Sequence, residues 1–586
     1  MDDGEKDVLV HAAPTPPADR RARMRSRLAA VRGLGLLLLS IPAALVLLCT
    51  CVFIYNARCP ASGPAPHATP DYLSMWPVNK HDGGAAAAAA SAPARALASN
   101  GTHEFRSTLI LVSLDGFRAD YLGRGLSPNL VRLGREGLRA DFMRPSFPSS
   151  TFPNHYSIAT GLYPGSHGIV GNTFYDTALN ATFVYTNTSI SDQSRWWEGG
   201  EPIWVTAEKQ GVRAAIDMWP GSTARIHGTR PSYVVPFSDS VPPGAKVQQL
   251  LEWIDLPLDR RPSLLAAYMP EVDHAGHVAG PDSDQVNSAV RLVDGALGDL
   301  REQLERRNLT HIVNLMVVSD HGMSSAVVHK NAIYLDDIID VSRLTGLYGW
   351  PLAAVQPKDD RDIPEMFLKL QRASAGQPWK VYMREDLPQR FHYTHKTRVA
   401  PISVIPDLHY YVTTRDWDKS TGGAPGAGEH VIGVHGYDNV DPEMRATFVA
   451  VGPAFRARDV APRSANATLP ASMAHIQRVA APRAGVSKEQ LSDDGAHISD
   501  MSAEQEYLEL VRGALVSRPG APALYHPEYD GLWGDSDLGE AALRYIRHPP
   551  FENVELYALM ARVLGIEPAP NNGTGSFSSW WLKDLP

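Results

Sequence analysis

Short apolar runs recur along the chain from residue 107 onward. They lie within "STLILVSLDG", "GVRAAIDMW", "SLLAAYMPEVD", "HIVNLMVVSDHG" and "RATFVAVGP". Runs that are apolar at nearly every position are typical of parallel strands buried on both faces of a sheet. Between them lie segments with helical spacing, such as "SPNLVRLGREG" and "DQVNSAVRLVDGALGDLREQLERR". The alternation predicts an α/β fold, a doubly wound parallel sheet sandwiched by helices.

A longer apolar run precedes this pattern. Residues 34–55, "LGLLLLSIPAALVLLCTCVFIY", carry no charge and are long enough to span a bilayer as a helix. Residues 1–33 include "RRARMRSRLAAVR", and such positive charge marks the cytoplasmic side. The sequence predicts a single-pass type II membrane protein with an extracellular or lumenal domain, at the plasma membrane, the vacuole or elsewhere in the secretory pathway. The alternative is a cleaved signal peptide, whose apolar region is typically shorter, about 7–15 residues.

Composition divides the remaining chain. Residues 56–106 are rich in Ala, Pro, Ser and Gly and predict a flexible stem. Residues 107–576 carry the strand and helix pattern of one large domain, and residues 577–586 form a tail. Within the domain, residues 457–547 interrupt the pattern with an insertion rich in Ala, Arg, Pro and Ser. Two hypotheses account for it: a disordered surface loop, or introns read through in frame in the gene model.

Six Asn-x-Ser/Thr sequons follow the predicted span and none precedes it, which agrees with a glycosylated lumenal or extracellular domain. The sequons begin at Asn100, Asn180, Asn187, Asn308, Asn466 and Asn572. The cysteines are Cys49, Cys51 and Cys59. The large domain therefore has no internal disulfide and depends on its core for stability.

The net charge of −9 at pH 7 bears on the choice of partner. A protein that binds a nucleic-acid duplex usually carries a basic face, so the composition argues against that class. Apolar residues make up 44% of the chain and charged residues 20%, as in globular proteins. A small anionic substrate at a local positive site stays compatible with this composition, and no feature indicates an oligomeric state.

Residues of metal-ligand type stand where several predicted strands end. They are Asp115 after the first run, Asp273 and His277 after "LLAAYMPEV", and Asp320 and His321 after "IVNLMVVS"; a sixth, His435, lies between glycines in "GVHGYDN". Because sites in open α/β sheets lie outside the carboxyl ends of the strands, we expect these side chains to converge. Each residue alone also fits a turn or a loop hydrogen bond. Imidazoles with carboxylates suit zinc, and together the six residues predict a site for two zinc ions.

The segment "SSTFPNHYSIATGLYPGSHG" places Thr151 at the start of a helix-like run. The amides of a helix N-terminus favour a phosphate group. Two zinc ions and three carboxylates leave a charge of about +1, which an ionised Thr151 would bring close to neutral. Such a site would accept a phosphodiester monoanion between metal ions about 3.5–4 Å apart. We therefore predict that Thr151 is a catalytic nucleophile.

Eight collinear segments resemble the ectonucleotide pyrophosphatase/phosphodiesterases, the type I phosphodiesterases of the alkaline phosphatase superfamily. They are "LVSLDGFRADYL", "TFPNHYSIATGLYPGSHGIVGN", "GEPIWVTAEKQG", "MWPGS", "DHAGHVAGP", "VVSDHGM", "GVHGYDN" and "FENVELYALMARVLGIEPAPNNGT". The resemblance implies the alkaline-phosphatase-like α/β sandwich with a di-zinc site at the strand ends. The short form, which lacks the Cys-rich modules of animal relatives, is similar to fungal or protist members.

The resemblance also implies roles for individual residues. One zinc ion would be bound by Asp115, Thr151, Asp320 and His321, and the other by Asp273, His277 and His435. Thr151 would form a phospho-threonine diester, from which water would release a nucleoside 5′-monophosphate. In the substrate pocket, Asn172 would contact a phosphate oxygen, Phe152 and Phe237 would pack against the base, and Trp219 would lie nearby.

Implied substrates are nucleoside triphosphates, dinucleotides or nucleotide sugars. The alternative is the same chemistry on lysophospholipid or choline-phosphate diesters. The residues that line the substrate pocket would decide between the two substrate classes. A sulfatase is disfavoured because "TFPN" does not supply a Cys/Ser-x-Pro-x-Arg motif, and an inactive binding protein is disfavoured because no ligand is missing. Nucleotide-preferring animal relatives carry a lysine directly before Gly-Glu-Pro, where this chain has Gly199. We therefore expect one lost contact to the nucleotide.

Overall fold

The computed structural model describes residues 96–420, 430–455 and 546–577. The predicted cytoplasmic tail, the transmembrane helix at 34–55 and the sequon at Asn466 lie outside these residues, as do most of the stem, the insertion and the C-terminal tail. Among the described residues, no helix has both the length and the apolar character needed to cross a membrane. The boundaries expected from composition therefore stay predictions.

The centre of the fold is a sheet of eight strands. In chain order they are β1 (Thr108–Leu114), β2 (Leu138–Ala140), β3 (Ala214–Asp217), β4 (Tyr233–Val235), β5 (Leu264–Met269), β6 (Val313–Val318), β7 (Phe448–Val451) and β8 (Ile546–His548). In space the order is β8-β2-β7-β6-β1-β5-β3-β4. Strands lie on both sides of β1, and the chain crosses from one side to the other more than once, so the sheet is doubly wound, as predicted.

Strand β7 is the exception to the parallel arrangement. It runs antiparallel to both neighbours, β6 and β2, whereas every other pair in the sheet is parallel. The prediction that "RATFVAVGP" forms a parallel strand was therefore wrong. The physical reason is the position of His435, which precedes β7 and lies near His321, just past the end of β6. From that edge the chain can only run back across the sheet.

Helices cover both faces of the sheet, which explains why the strands are apolar throughout. Those in the described part are α1 (Pro128–Glu136), α2 (Thr151–Thr160), α3 (Pro164–His167), α4 (Thr188–Ser191), α5 (Ile203–Lys209), α6 (Pro243–Ile254), α7 (Glu271–Ala279), α8 (Asp284–Arg306), α9 (Ile363–Ala373), α10 (Arg415–Ser420) and α11 (Glu555–Leu564). Leu109 and Leu111 of β1 share a core with α2, α5 and α11. Ile110 and Val112 share the opposite core with α1, α6 and α8.

A smaller antiparallel sheet follows β6 in sequence and was not predicted. Its strands, in spatial order, are Leu344–Tyr348, Ala353–Pro357, Ile402–Pro406 and Trp379–Met383. Helix α9 contributes Met366 and Leu370 to its core. The other described strands pair as Ala98–Ser99 with Glu104–Phe105, Met143–Arg144 with Phe551–Glu552, Thr173–Asp176 with Ala181–Val184, Ser324–Val327 with Val431–Val434, and Ala332–Tyr334 with Tyr411–Thr413.

Five of the six sequons fall within the described residues, and all five lie at the surface. Asn180, Asn187, Asn308 and Asn572 are exposed, and Asn100 is partly exposed. Glycan transfer needs such surface positions. Glycosylation itself stays a prediction.

The insertion is flanked by two strands that lie close together. Ala450 of β7 and Ile546 of β8 both pair with Leu138 of β2, one on each side. Neighbouring strands are about 4.8 Å apart, so these two residues are about 10 Å apart. Strand β7 ends beside Leu315 of β6 and points away from Asp320. The chain therefore leaves and re-enters the sheet at the edge opposite the predicted ligands.

We expect that a Gly/Ser linker of about eight residues can replace residues 457–545, because its mean span of roughly 16 Å exceeds the gap. Closing a loop of that length costs about 2 kcal/mol less entropy than closing one of roughly 90 residues. The thermal unfolding midpoint of the shortened protein should therefore equal or exceed that of the full chain. A lower midpoint would show that the inserted residues contribute to the core.

Candidate active site

The carboxyl ends of the parallel strands place the predicted ligands at one edge of the sheet. Asp115 follows β1 and Asp320 follows β6, and both side chains are buried. Asp273 and His277 lie on α7, which starts two residues after β5. Residues four apart on a helix are neighbours on one face, so this spacing brings the two together. His435 reaches the same edge from the loop that precedes β7.

Gly116 lets two of these segments approach closely. Its φ is +64°, and a Cβ atom there would lie 3.0 Å from the Cα and Cβ atoms of Asp273. Its backbone N–H donates to Asp320 Oδ1 at 3.2 Å. The glycine after Asp115 therefore permits the contact between β1 and α7 and also orients a carboxylate.

Thr151 is the first residue of α2, a helix buried on almost every side. Asn154 holds the start of this helix in place. Its Oδ1 accepts hydrogen bonds from Ser146 N at 2.7 Å and from Asn553 Nδ2 at 2.9 Å. Its Nδ2 donates to two carbonyl groups of the preceding turn. The hydroxyl-bearing end of α2 is therefore fixed by polar contacts inside the protein.

Three of the predicted ligands form one compact group. His277 Nε2 lies 3.1 Å from His435 Nε2. Asp273 Oδ2 lies 3.4 Å from His277 Nε2, and Asp273 Oδ1 lies 3.5 Å from His435 Nε2. One ligand atom from each residue therefore faces the same small space, as a metal site requires.

A second group adjoins the first. His321 Nε2 lies 3.0 Å from Asp320 Oδ2, 3.4 Å from Asp115 Oδ1 and 3.3 Å from Thr151 Oγ1. The rings of His321 and His435 stack at 3.7 Å and join the two groups. The structure thus brings together all seven residues named from the sequence. Asp273 lies within reach of both groups, whereas the resemblance gave it to one.

The hydrogen bonds of the imidazoles show which nitrogen is free. The Nδ1 atoms of His277, His321 and His435 lie 3.0, 2.8 and 3.0 Å from backbone carbonyl oxygens. A carbonyl only accepts, so Nδ1 carries the proton and Nε2 offers a lone pair. Facing these lone pairs are Asp115 Oδ1, Asp273 Oδ1 and Asp320 Oδ2, which are buried without a hydrogen-bond partner. Such donors fit one or two divalent cations.

The pKa shifts of the cluster show that several negatively charged groups are crowded into one buried space. Burial raises the pKa of Asp115 well above its usual value, and the other two carboxylates raise it further. Burial acts on Asp320 in the same direction, but His321 and His155 outweigh it and hold its pKa well below the usual value. Burial and the neighbouring imidazoles lower the pKa of His435. A cation among these groups would allow all three carboxylates to ionise while the imidazoles stay neutral.

A cavity of about 420 Å³ opens onto the cluster. All four residues predicted to bind substrate line it: Phe152, Asn172, Trp219 and Phe237. The backbone N–H of Phe152 donates to Asn172 Oδ1 at 2.9 Å. This bond fixes the amide group, and no residue in the described part of the chain bonds Asn172 Nδ2. The amide therefore keeps donors for an anion in the cavity.

The predicted aromatic residues differ in exposure. Phe237 is 45% exposed, and its ring centroid lies 6.0 Å from that of Tyr268. Trp219 is only 2% exposed and donates from Nε1 to the carbonyl oxygen of His155 at 3.3 Å. Phe237 can therefore offer a ring face to a ligand, whereas Trp219 forms part of the fixed wall.

Sequence reasoning missed four residues around the cavity: Tyr185, Trp197, Tyr268 and His155. Tyr185 and Trp197 pack against Phe152 with ring centroids 5.2 and 6.1 Å away. The hydroxyl of Tyr268 donates to Asp115 Oδ2. Only His155 had a signal in the sequence, because it stands four residues after Thr151 in a helical segment. The others come from distant segments that only the tertiary fold joins.

The expected loss of a contact at Gly199 has no structural basis. Gly199 does not line the cavity, and a Cβ atom there would lie 2.4 Å from the carbonyl oxygen of His167. A lysine cannot fit at this position unless the backbone moves. The charged residues at the mouth of the cavity are instead the exposed carboxylates of Asp192 and Asp239. No lysine or arginine of the described residues lines it.

A further strand-end carboxylate, Asp217, lies outside the cluster. It ends β3 and is buried, but it does not line the cavity. Burial raises its pKa to about 7, although the charge of Lys246 acts in the opposite direction. Its Oδ1 has no hydrogen-bond partner. A buried carboxylate of this kind destabilises the folded state once it ionises.

We expect the substitution Asp217→Asn to stabilise the protein more at pH 8 than at pH 5. The folded-state pKa is raised above the unfolded value near 3.9, so the wild type loses stability as the pH rises from about 4 to 7. The gain should grow by about 2.6 kcal/mol between the two pH values, measured as the free energy of unfolding in urea. In Asp176, Arg398 lowers the pKa despite burial, so the group is ionised in both the folded and unfolded states above pH 5, and Asp176→Asn should destabilise the protein by a nearly constant amount between pH 5 and 8. A pH-independent gain would contradict the assignment.

This doubly wound sheet, with ligand-type side chains at its strand ends and a hydroxyl at a helix N-terminus, defines an alkaline-phosphatase-like hydrolase. A sequence model of type I phosphodiesterases/nucleotide pyrophosphatases matches residues 109–438. The chain belongs to the type I phosphodiesterase/nucleotide pyrophosphatase family.

Individual relatives agree with this assignment. An uncharacterized pyrophosphatase/phosphodiesterase of Schizosaccharomyces pombe is 43% identical over 362 residues, which cover 61% of this chain and 73% of the relative. Ectonucleotide pyrophosphatase/phosphodiesterase family member 3 of Rattus norvegicus is 37% identical over 60% of this chain, but the match spans only 40% of that relative. The chain therefore covers less than half the length of such animal relatives.

Solved structures show the same fold. Murine ectonucleotide pyrophosphatase/phosphodiesterase 5 superposes with a TM-score of 0.60 at 28% identity, covering 81% of this chain and 100% of that structure. An inactive threonine-to-alanine variant of the same murine protein, in complex with AMP, superposes equally well and covers 82% of this chain.

Proposed function

We propose that the protein is a zinc-dependent phosphodiesterase that releases nucleoside 5′-monophosphates from nucleotide diesters and pyrophosphates. The observation that carries the proposal is the convergence of three Nε2 lone pairs and three unpartnered carboxylate oxygens beside Thr151 Oγ1. Family membership supports the reaction class. Nucleoside triphosphates, dinucleotides and nucleotide sugars are the proposed substrates.

Two zinc ions fit the donor set. Asp115, Asp320, His321 and Thr151 would hold one, and Asp273, His277 and His435 would hold the other. The ions would supply positive charge that favours the ionised Thr151 hydroxyl and stabilises the phosphorane-like transition state. The protein supplies neutral imidazoles whose orientation is fixed by backbone carbonyls.

Thr151 would carry out the covalent step. Its Oγ1 forms a bond to phosphorus while the bond to the leaving group breaks, which yields a phospho-threonine diester. Water then cleaves the Oγ1–P bond, releases the nucleoside 5′-monophosphate and restores the hydroxyl. The start of α2 favours the anionic substrate, and Asn172 Nδ2 can donate to a phosphate oxygen. Both groups are held by hydrogen bonds within the protein.

The cavity suits an aromatic base. Phe152 and Phe237 lie in its wall, and Tyr185 and Trp197, which also line it, pack against the ring of Phe152. Stacking on an aromatic ring is worth about 1–3 kcal/mol per base and tolerates different bases. The murine relative bound to AMP is consistent with this role.

We also propose that the catalytic domain, residues 107–576, is extracellular or lumenal and glycosylated. The uncharged run at 34–55 would anchor it as a type II membrane protein, with residues 56–106 as the stem. The surface positions of the described sequons support this orientation.

We expect Thr151→Ala to lower kcat by a factor of at least about 10³ and to keep bound zinc, because the other ligands remain. Turnover of the p-nitrophenyl ester of thymidine 5′-monophosphate and zinc content by elemental analysis provide the measurement. Ser150→Ala is the matched control, since its hydroxyl makes no hydrogen bond in the described part of the chain. Retained activity in Thr151→Ala would refute the nucleophile.

A second substrate class is favoured by one observation. Aromatic rings surround a cavity whose mouth carries Asp192 and Asp239. The position of Asp192 is fixed by Thr223, whose hydroxyl donates to it at 2.6 Å. Carboxylates and aromatic faces attract quaternary ammonium groups, so a choline-phosphate or lysophospholipid diester is the alternative substrate.

Three chromogenic esters distinguish the candidates. We expect kcat/KM for the p-nitrophenyl ester of thymidine 5′-monophosphate to exceed those for p-nitrophenyl phosphorylcholine and p-nitrophenyl phosphate by at least about tenfold, which corresponds to about 1.4 kcal/mol. Chelation should remove this activity and zinc should restore it. Preference for the choline ester would favour the second candidate, and preference for the monoester would refute a diesterase.

A further inference from the structure

His155 is a buried histidine that the proposed reaction does not use. It lies on α2, one helical turn after Thr151, and its side chain is fully buried. It does not line the cavity, so it does not touch the substrate. Its ring nevertheless contacts residues from three elements that meet at the site.

Each ring nitrogen of His155 has a defined partner. Nδ1 lies 2.9 Å from the carbonyl oxygen of Thr151 and 3.3 Å from Asp320 Oδ2. Nε2 lies 2.8 Å from the hydroxyl of Ser113 on β1. The carbonyl only accepts, so Nδ1 carries the proton and Nε2 accepts from Ser113. The Nδ1–H edge of the ring therefore faces both the nucleophile's backbone and a proposed zinc ligand.

The surroundings prevent the ring from turning. The rings of Trp219 and Tyr268 meet it edge to face, with centroids 4.9 and 5.0 Å away and interplanar angles of 78° and 87°. Trp219 also bonds the backbone carbonyl of His155. The direction of the Nδ1–H group is therefore set by packing as well as by hydrogen bonds.

Asp320 depends on this contact because of where its two oxygens point. Oδ1 accepts from the backbone of Gly116 at 3.2 Å. Oδ2 lies 3.0 Å from His321 Nε2 and 3.3 Å from His155 Nδ1, and it makes no hydrogen bond of ordinary geometry to a described residue. Without His155, Asp320 Oδ2 would lose the partial positive charge of the Nδ1–H group that lies 3.3 Å from it. Groups that orient a metal ligand in this way typically contribute 10–100-fold to metal affinity or activity.

We propose that His155 is a positioning residue that holds Asp320 and the first turn of α2 in register, so that Thr151 and Asp320 share one zinc ion. This role rests on the proposed function. In this role, the Nδ1–H group contacts Thr151 and Asp320 in the zinc-binding region. Nε2 contacts Ser113 and only anchors the ring to β1.

Two substitutions separate these contacts. In His155→Asn, the amide occupies the position of Nδ1 and can donate to the Thr151 carbonyl and to Asp320, but it cannot reach Ser113. In His155→Gln, the amide occupies the position of Nε2 and leaves Nδ1 unreplaced. Asn leaves the larger cavity, so we expect His155→Asn to be the less stable of the two proteins.

We expect zinc affinity to follow the opposite order. His155→Gln should bind one of its two zinc ions 10–100-fold more weakly in competition with a chelator, whereas His155→Asn should stay within about fivefold of the wild type. In His155→Gln, kcat for the thymidine ester should fall by a similar factor while KM changes less than about threefold, because the cavity wall is intact. If His155 had only a structural role, zinc affinity would fall in the same order as stability, and His155→Asn would bind zinc more weakly than His155→Gln.

His167 provides the matched control. It is also fully buried, and its Nε2 lies 3.0 Å from the hydroxyl of Ser157, but it contacts none of the proposed ligands. His167→Asn and His167→Gln should change the unfolding midpoint and leave zinc affinity unchanged. Equal zinc affinity in His155→Gln and the wild type, or losses that parallel stability, would overturn the inference. Failure of the wild type to bind zinc or cleave the diester would instead refute the proposed function.

Discussion

Three buried carboxylates that share one space are the constraint on which the rest of this structure depends. Ligand atoms of Asp115 and Asp273 lie within 4.8 Å of each other, where like charges repel by about 3 kcal/mol even at an effective dielectric constant of 20. The fold accepts this repulsion only at the strand ends, where imidazole lone pairs and a helix N-terminus converge as well. Every feature of the site, from the neutral histidines to the glycine after Asp115, suits a cation that offsets that charge.

Much of this arrangement could be predicted because it follows from local rules. Apolar runs predicted the buried strands, and the position of each acidic residue directly after a run predicted a shared edge. The spacing of Asp273 and His277 needed only the period of a helix. His435 follows the short strand Val431–Val434 rather than a strand of the central sheet, so it was named from its place between glycines and its residue type and not from an apolar run.

The features that were predicted wrongly or not at all depend on tertiary contacts that no local pattern records. The direction of β7 depends on which edge the chain has reached before it, and no local pattern records that. The small sheet between residues 344 and 406 has alternating and irregular segments without a strong period. Gly199 was expected to matter because nucleotide-preferring animal relatives carry a lysine there, yet its environment is the backbone at His167. His155 was passed over because a buried histidine in a helix has many structural uses, and only its neighbours distinguish them.

The hydrogen bond between Asn154 and Asn553 joins residues 399 positions apart, and it has a consequence for biosynthesis. The helix that carries Thr151 leaves the ribosome long before the segment that holds its first turn. At about 5–20 residues per second, roughly 20–80 s separate the two. Once residue 435 has been added, the nascent chain has the hydroxyl, the acidic residues and the histidines, but not yet Asn553, whose amide bonds Asn154 in the first turn of that helix. The site is thus completed at the end of translation, and a chain released early would carry its ligands without the geometry to use them.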